Sequence, residues 1–322
     1  MATIYEVATL AGVSPATVSR VFNGHTVSED KIRQVRAAAK KLRYEPNRTA
    51  RTLRRQRSDL IALVIPDIEN PFFTSLARGV EDVAQSSGYS VVLCNTDEDY
   101  KKEVRYFDIV MSENMAGVIL AAAGDRSDLS GLISRGRPIV AVDRGPHGFN
   151  VDAVMVDNRA GGIAATQALI DQGYKRIACI TGPRDVETAQ QRCDGWRSAI
   201  KILKGNKQSA SYLRHANYRV DGGREAMSAL LELNPPPDAV FIANNLMCIG
   251  AIQVLNDRGI SPSSFGIAAF GDLPFNTSSE RVNKIIPLDA RQLGATAAKL
   301  LLERINGDEQ PTRTVVLHNE NA

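Results

Sequence analysis

The chain has 322 residues, of which 43% are apolar, 23% are charged and 6% are aromatic. This composition excludes a disordered chain, because it can build a core, and the length predicts about two domains. No stretch approaches the ~20 uncharged apolar residues that cross a bilayer, and the N-terminus shows no secretory signal. The cysteines form neither a C-x-x-C pair nor a metal spacing, so we expect reduced thiols in a cytoplasmic protein, without metal or cofactor.

The positive charge is concentrated at the N-terminus. Residues 1–57 hold twelve lysines and arginines against four acidic residues, a net charge of +8, whereas the rest of the chain carries 27 basic and 32 acidic residues. A basic head on a mildly acidic body is typical of a polyanion-binding domain attached to a second domain. Double-stranded DNA is the polyanion that we expect.

The head begins with two short predicted helices joined by a tight turn. Residues 4–10 have apolar side chains at helical spacing, with Thr3 as the N-cap and Gly12 as the end. Ser14 caps a second helix with Pro15 at its first position, where the missing N–H costs nothing. This arrangement predicts a helix-turn-helix.

A third helix is predicted to begin near Ser28 and to end at Pro46, with an apolar face of Ile32, Val35, Ala39 and Leu42. On the second helix, Arg20 suits bidentate pairing with guanine, while Thr17 and Ser19 suit phosphates or base edges. A three-helix bundle that serves only as a fold is the alternative. The candidate DNA contacts of the head are Thr3, Ser14, Pro15, Ala16, Thr17, Ser19, Arg20, Asn23 and Thr26.

Residues 47–57 contain five arginines and no acid. The segment is either a solvated linker or a short helix that orders against phosphates, because repulsion between the arginines opposes an isolated helix. Ala50 and Leu53 share one side of that helix, which leaves Leu53 as an apolar wedge for a minor groove. Asn47, Ala50 and Leu53 are the candidate DNA contacts of this hinge.

The body alternates apolar runs with helical patterns. The runs occupy residues 60–67, 89–97, 116–123, 138–144, 176–183, 238–245 and 266–270. Continuous apolar strands separated by helices predict parallel sheets covered on both faces, and so many strands indicate two similar α/β lobes.

Ligands of open α/β sheets bind beyond the carboxyl ends of the strands. In this chain, aromatic, acidic and amide side chains follow the strands, including Phe72, Phe73, Asp143 and Asn244. Such a set suits a polyhydroxylated or heterocyclic ligand. Ordinary capping of strand ends is the alternative for each residue taken alone, whereas the whole set favours a small-molecule cleft.

The motif I-Y-E-V-A-x-x-A-G-V-S-x-A-T-V-S-R-V-x-N over residues 4–23, followed by Y-x-P-N over 44–47 and A-x-x-L over 50–53, resembles the headpiece of LacI/GalR-family bacterial repressors. The resemblance extends over essentially the whole chain. It implies a dimer whose recognition helix enters the major groove and whose hinge helices insert Leu53 at a central base step. It also implies a core similar to a periplasmic sugar-binding protein, with an effector between two lobes.

The resemblance further implies an effector site formed by cleft aromatics, acids, an anchoring arginine and an amide. These residues are Phe72, Phe73, Asp143, Arg192, Tyr218, Asn244 and Asp272. Asn245, Gly271 and Leu288 differ from the residues usual at their positions in the family. The expected domains are a headpiece (1–45), a hinge (46–58) and a core (59–322), whose N-lobe spans about 59–158 plus 289–322 and whose C-lobe spans about 159–288.

These observations predict a sequence-specific transcriptional repressor that binds a palindromic operator as a homodimer. Its effector would be a sugar-, nucleoside- or phosphosugar-like molecule. A small-molecule binding protein without a DNA function is the alternative. An enzyme is not expected, because no nucleotide-binding, hydrolase or metalloprotease motif occurs, and the histidines form no recognisable set.

Overall fold

The computed structural model describes residues 2–22, 26–44, 58–124, 126–203, 210–273 and 281–318. The chain divides into two compact units, Met1–Ser58 and Asp59–Ala322. Four predicted DNA contacts, Asn23, Asn47, Ala50 and Leu53, lie outside the described residues, so their roles stay predictions. No helix among the described residues is long and apolar enough to cross a membrane.

The N-terminal unit begins with α1 (Ile4–Ala11), whose N-terminus is closed by a capping box. The side chain of Thr3 accepts the backbone N–H of Glu6, and the Glu6 carboxylate accepts the backbone N–H of Thr3 at 2.7 Å. Gly12 ends the helix in the left-handed conformation, with φ of 63°. Both ends of this helix agree with the prediction.

Two further helices complete this unit, α2 (Pro15–Phe22) and α3 (Glu29–Leu42). The predicted cap of α2 is present, because Ser14 Oγ accepts the backbone N–H of Thr17 at 3.2 Å. The predicted end of α3 at Pro46 is wrong, since Arg43 adopts a left-handed conformation and closes the helix first. The buried side chains of the three helices form one small core of Val7, Ala8, Ala11, Val18, Val35, Ala38 and Ala39.

The second unit is built on two sheets in which every strand pair is parallel. The strands of the first sheet are β1 (Leu60–Ile65), β2 (Ser90–Asn95), β3 (Gly117–Leu120), β4 (Ile139–Val142), β5 (Asp152–Val156) and β11 (Thr314–Leu317). Their order in the sheet is β11-β5-β4-β3-β1-β2. The strands of the second sheet are β6 (Ile177–Thr181), β7 (Leu213–His215), β8 (Ala239–Ile242), β9 (Gly266–Phe270) and β10 (Lys284–Ile286). Their order is β10-β9-β8-β6-β7.

Helices cover both sheets. They are α4 (Pro71–Ser86), α5 (Tyr100–Ser112), α6 (Ser130–Ile133), α7 (Asn158–Asp171), α8 (Glu187–Ile200), α9 (Val220–Leu231), α10 (Asn245–Asp257) and α11 (Ala290–Ile305). Helices α4 and α11 pack together beside the first sheet, whereas α7 and α8 pack together beside the second. A Cβ on Gly162 of α7 would lie 2.4 Å from the backbone oxygen of Arg192 in α8, so glycine permits this close helix pairing.

The chain crosses between the sheets after β5 and returns after β10. We call residues 59–157 together with 290–318 the first lobe, and residues 158–286 the second lobe. The α/β fold of parallel sheets is as predicted, and each of the seven predicted runs contains a strand. Strands β5, β7, β10 and β11 were not predicted individually. The four cysteines (Cys94, Cys179, Cys193, Cys248) are free and buried, as expected.

Candidate effector cleft and DNA-binding face

A cavity of about 680 Å³ lies between the two lobes, beyond the carboxyl ends of their strands. The first lobe contributes the start of α4 and the segment after β4, and the second lobe contributes α8 and the segments after β7, β8 and β9. All seven residues expected to bind an effector line this one cavity: Phe72, Phe73, Asp143, Arg192, Tyr218, Asn244 and Asp272. The folding of two separate sheets therefore brings together side chains that are up to two hundred positions apart in the sequence.

The aromatic pair at the start of α4 is held by a helix cap. Asn70 precedes Pro71, and its Oδ1 accepts the backbone N–H of Phe72 at 3.0 Å. The rings of Phe72 and Phe73 meet edge to face, with centroids 5.0 Å apart. Phe73 is buried in the core and Phe72 is only partly buried. Asn70 also lines the cavity, and sequence reasoning missed it, although an asparagine before proline is a recognisable helix start.

Asp143 is a buried acid in the first lobe. It follows β4 in a left-handed conformation with φ of 65°, and only 5% of its surface is exposed. Burial raises the pKa of the Asp143 carboxyl, and the positive charges of Arg192 and Arg144 oppose that rise only in part. Asp143 is thus a desolvated acceptor at the wall of the cavity.

Arg144, the next residue, is neutralised within its own lobe. Its guanidinium donates to both carboxylate oxygens of Glu98, at 2.8 and 2.7 Å, and to the backbone oxygen of Ala122 at 2.7 Å. Two parallel hydrogen bonds to one carboxylate fix both the position and the charge of the guanidinium. This arginine therefore shapes the cavity wall more than it attracts an anion.

Arg192 in α8 has three anchors. Its Nε donates to Oδ1 of Asn158 at 2.8 Å, and its Nη1 donates to the backbone oxygen of Ala243 at 2.8 Å. The guanidinium carbon lies 4.1 Å from the ring centroid of Phe270, a cation–π contact. No described residue accepts a hydrogen bond from Nη2, which leaves that group for a ligand in the cavity.

Tyr218 packs against a glycine in the second lobe. A Cβ on Gly182 would lie 2.2 Å from the Tyr218 ring, so the ring takes the place of a side chain at that position. The Tyr218 hydroxyl lies 3.2 Å from Oγ1 of Thr188, and burial raises the pKa of Tyr218. Asn244 supports this arrangement because its Nδ2 donates to the backbone oxygen of Tyr218 at 2.8 Å. Its Oδ1 caps α10, so much of this amide is used inside the protein.

One side of the cavity rim is apolar. Gly271 adopts φ of 91°, a conformation that an acidic residue would reach only with strain. Leu273 and Leu288 also line the cavity here, and Asn245 donates to the backbone oxygen of Asp272 at 3.2 Å. Asp272 itself is exposed, and partial desolvation still raises the pKa of its carboxyl. No group of three or more metal-ligating side chains occurs among the described residues.

In the N-terminal unit, α2 presents polar side chains to solvent. Ala16 and Arg20 are exposed, and Thr17 and Ser19 are partly exposed. The hydroxyl oxygens of Thr3 and Ser14 serve as helix caps. Pro15 is partly exposed and Thr26 is exposed. Tyr5 is 70% exposed on α1, and sequence reasoning did not single it out.

One unit is an exposed helix-turn-helix, and the other has a cavity between two α/β lobes that aromatic, charged and amide side chains line. Together they define a ligand-responsive DNA-binding regulator. Residues 3–47 match the family described as bacterial regulatory proteins, lacI family. Residues 58–321 match the family described as periplasmic binding proteins and sugar binding domain of LacI family. The chain therefore belongs to the LacI family, as the sequence motifs indicated, and it is a DNA-binding transcriptional regulator.

Relatives match over nearly the full length. The ribose operon repressor of Escherichia coli K12 is 35% identical over 316 residues, which cover 97% of this chain and 94% of that protein. The HTH-type transcriptional repressor PurR of Mannheimia succiniciproducens is 31% identical over 324 residues, covering 99% and 97%. Both relatives are named as repressors.

Solved structures match the fold. The transcriptional regulator CelR–cellobiose complex has a TM-score of 0.74 and 30% identity, with 99% of this chain and 97% of that chain covered. The lac repressor dimer bound to operator and the anti-inducer ONPF has a TM-score of 0.85 at 22% identity, covering 98% and 96%. This second likeness concerns the fold alone.

Proposed function

We propose that this regulator is a dimeric, cytoplasmic repressor without catalytic activity. Its affinity for a palindromic operator depends on an uncharged sugar or nucleoside bound in the cleft. The observation that carries the proposal is the convergence of all seven expected effector residues on one cavity of about 680 Å³. Cavities of this size, with aromatic faces and a few fixed polar groups, are typical of small-molecule sites.

The charges around the cavity favour an uncharged ligand over a phosphosugar. Each arginine that lines the cavity has an acidic neighbour inside the protein. Arg78 forms an ion pair with Glu81, Arg144 with Glu98 and Arg291 with Asp82, and the charge of Arg192 acts on the buried Asp143. A phosphate would therefore have to compete with carboxylates that are already in place, whereas hydroxyl groups need only single donors and acceptors.

The polar and apolar parts of the cavity suit the two ends of a nucleoside-like or sugar-like molecule. The Asp143 carboxylate accepts and Arg192 Nη2 donates, which matches the hydroxyl groups of a sugar ring. Phe72 and Tyr218 offer ring faces, and Leu288 offers an apolar side. The word ribose in the name of one relative and the word cellobiose in the description of one similar structure agree with this class.

Exposed apolar side chains on the first lobe support pairing with a second copy of the chain. Leu93 lies on β2, the edge strand of the first sheet, and Tyr100 and Ile109 lie on α5. Each is about 40% exposed, at 39%, 44% and 42%. Burial of these exposed apolar side chains against a second copy would favour a dimer.

A thermal-shift panel tests the proposed effector class. Full-length protein would be heated with D-ribose, adenosine, uridine, a hexose, cellobiose and ribose 5-phosphate at matched concentrations. We expect an uncharged sugar or nucleoside to raise the unfolding temperature, because a ligand that binds only the folded state stabilises it. A shift given by the phosphosugar alone would contradict the argument from charge.

A further inference from the structure

A hydrogen bond joins the two lobes beside the cavity. Gly145 follows β4 in the first lobe, and its backbone N–H donates to Oε2 of Glu187, the first residue of α8 in the second lobe, at 2.8 Å. A Cβ on Gly145 would lie 2.8 Å from the same oxygen, so glycine permits the close approach of backbone and carboxylate. This contact, which we call the Gly145 latch, exists only while the lobes keep this separation.

The second oxygen of the Glu187 carboxylate begins a chain of hydrogen bonds that ends at the cavity. Oε1 of Glu187 accepts from Nε2 of Gln191 at 2.8 Å, and Oε1 of Gln191 accepts from Nδ2 of Asn158 at 3.1 Å. Oδ1 of Asn158 then accepts from Nε of Arg192 at 2.8 Å. Each link pairs one donor with one acceptor, so neither amide can reverse without setting donor against donor.

Asn158 stands where the chain passes from the first lobe to the second. It is the first residue of α7, and its Nδ2 also donates to the backbone oxygen of Val156, the last residue of β5, at 3.2 Å. The amide that orients Arg192 is therefore tied to the crossing between lobes as well as to the Gly145 latch. Neither Glu187 nor Gln191 lines the cavity, so each would act on a ligand only through other residues.

We infer that Glu187 and Gln191 are positioning residues for the effector, which relay the closure of the lobes to Arg192. When the lobes separate, the Gly145 N–H leaves Glu187, and the carboxylate that fixed the Gln191 and Asn158 amides loses its anchor. Arg192 then loses its fixed orientation. The inference rests on the proposed function, because it requires Arg192 to bind the effector.

An exchange of the two side chains tests the relay. Glu187→Gln keeps an oxygen that accepts from the Gly145 N–H, but its NH2 group then faces the NH2 group of Gln191, so two donors meet. Gln191→Glu places two carboxylates one helical turn apart, which repel each other. In the double variant E187Q/Q191E, the carboxylate introduced at position 191 accepts from both neighbouring amides, and every donor again meets an acceptor.

Calorimetric titration of the full-length protein with D-ribose and with adenosine gives the readout. We expect each single variant to bind the probe roughly 10-fold more weakly, since a partly buried hydrogen bond that orients Arg192 through Asn158 is lost. The double variant should recover to within about 3-fold of the wild type. A matched control, Glu225→Gln on the exposed side of α9, should leave the affinity unchanged. Single variants with unchanged affinity, or a double variant whose loss is the product of the two single losses, would overturn the relay.

A measurement without ligand separates this inference from the proposed function. Hydrogen exchange at the Gly145 amide should be at least about tenfold faster in Glu187→Ala than in the wild type, and slow again in Glu187→Gln, which keeps the acceptor. Failure of the wild type to bind any uncharged sugar or nucleoside of the thermal-shift panel would refute the proposed effector class. In that case, two measurements without ligand still test the relay. One is hydrogen exchange at the Gly145 amide, and the other is the unfolding free energy of the wild type, the two single variants and the double variant. If Glu187 and Gln191 acted independently, the losses of unfolding free energy in the two single variants would add in the double variant.

Discussion

The guanidinium of Arg192 lies over the ring of Phe270, with 4.1 Å between its central carbon and the ring centroid. The ring supports one face of the guanidinium while Asn158 and Ala243 hold two of its nitrogens. Lysine has neither the flat face nor the fixed fork of donors, so it cannot replace these three contacts together.

Arg192→Lys should therefore weaken effector binding by roughly 10- to 100-fold, the range expected when hydrogen bonds to a charged group are lost. The control is Arg197→Lys, at an exposed position of the same helix that pairs with Asp194. Calorimetric titration of both variants measures the difference. Equal affinities in the two variants would show that Arg192 does not contact the effector.

The buried carboxyl of Asp143, which we expect to bind the effector, lowers the stability of the folded protein near neutral pH. Because burial raises its pKa, the folded protein holds the proton more tightly than the unfolded chain does. The contribution of Asp143 to the free energy of unfolding is therefore greatest at acid pH and falls as the pH rises above the ordinary value of 3.8 toward the folded pKa.

Asp143→Asn should remove that loss, so its unfolding temperature should exceed that of the wild type near pH 7, and the two should converge at acid pH. The same variant should bind the effector more weakly, because an acceptor is lost. Thermal unfolding across this pH range checks the first effect, with the exposed Asp185→Asn as the control. A variant that is less stable than the wild type near neutral pH would contradict this account.

Much of this site follows from local sequence patterns. Asp143 and Asn244 lie one and two residues after the ends of apolar strands, and Phe72 lies at the start of the helix that follows β1. The carboxyl ends of parallel strands define where ligands bind. The family motifs added Arg192 and Tyr218, which lie on or beside helices and carry no signal of their own. The N-cap of α1 was likewise predicted from Thr3, whereas the reciprocal hydrogen bond of Glu6, which completes the capping box, was not.

Other features depend on contacts between distant segments, which one sequence does not reveal. Phe270 and Thr188 support Arg192 and Tyr218 only because separate strands and helices meet at the cavity. Strands β7 and β10 have three residues each, too few for an apolar pattern to stand out. The end of α3 was misplaced because Arg43, a residue without a strong preference for the left-handed region, closes it.

Gly182 is required by the position of the Tyr218 ring. Gly182→Ala would place a methyl group 2.2 Å from that ring, so we expect the variant to lose about 1–3 kcal/mol of stability and to bind the effector more weakly. Gly131→Ala is the matched control, because a Cβ there meets nothing within 4 Å in helix α6. Denaturant unfolding of the two variants separates overpacking from a general effect of replacing glycine.

Arg20 is the exposed arginine of α2. If it pairs with a guanine, Arg20→Ala should relax the base preference at one position of each operator half-site, by about 1–3 kcal/mol. Arg33→Ala, on the exposed side of α3, should weaken binding without changing the preference. Selection of binding sites from randomised duplexes gives the answer, and an unaltered preference in the Arg20 variant would refute the assigned contact.

Leu53 is predicted from the sequence to insert into the minor groove. Leu53→Ala should reduce affinity for the operator far more than affinity for unrelated DNA, because a wedge acts only where the duplex bends at the specific site. Gln56→Ala, in the same segment at a residue that is not a candidate DNA contact, serves as the control. Competition binding against nonspecific duplex measures both affinities, and an equal loss on both would argue against the wedge.

The central claim is that occupancy of the cleft sets the strength of DNA binding. The most direct test titrates a selected operator duplex with the full-length protein, once without ligand and once with a ligand found in the thermal-shift panel. At constant salt, we expect the operator affinity to change about 100-fold, equivalent to ~2.7 kcal/mol of coupling, and the ligand affinity to change by the same factor when operator is present. Identical operator affinities with the cleft empty and saturated would contradict the claim.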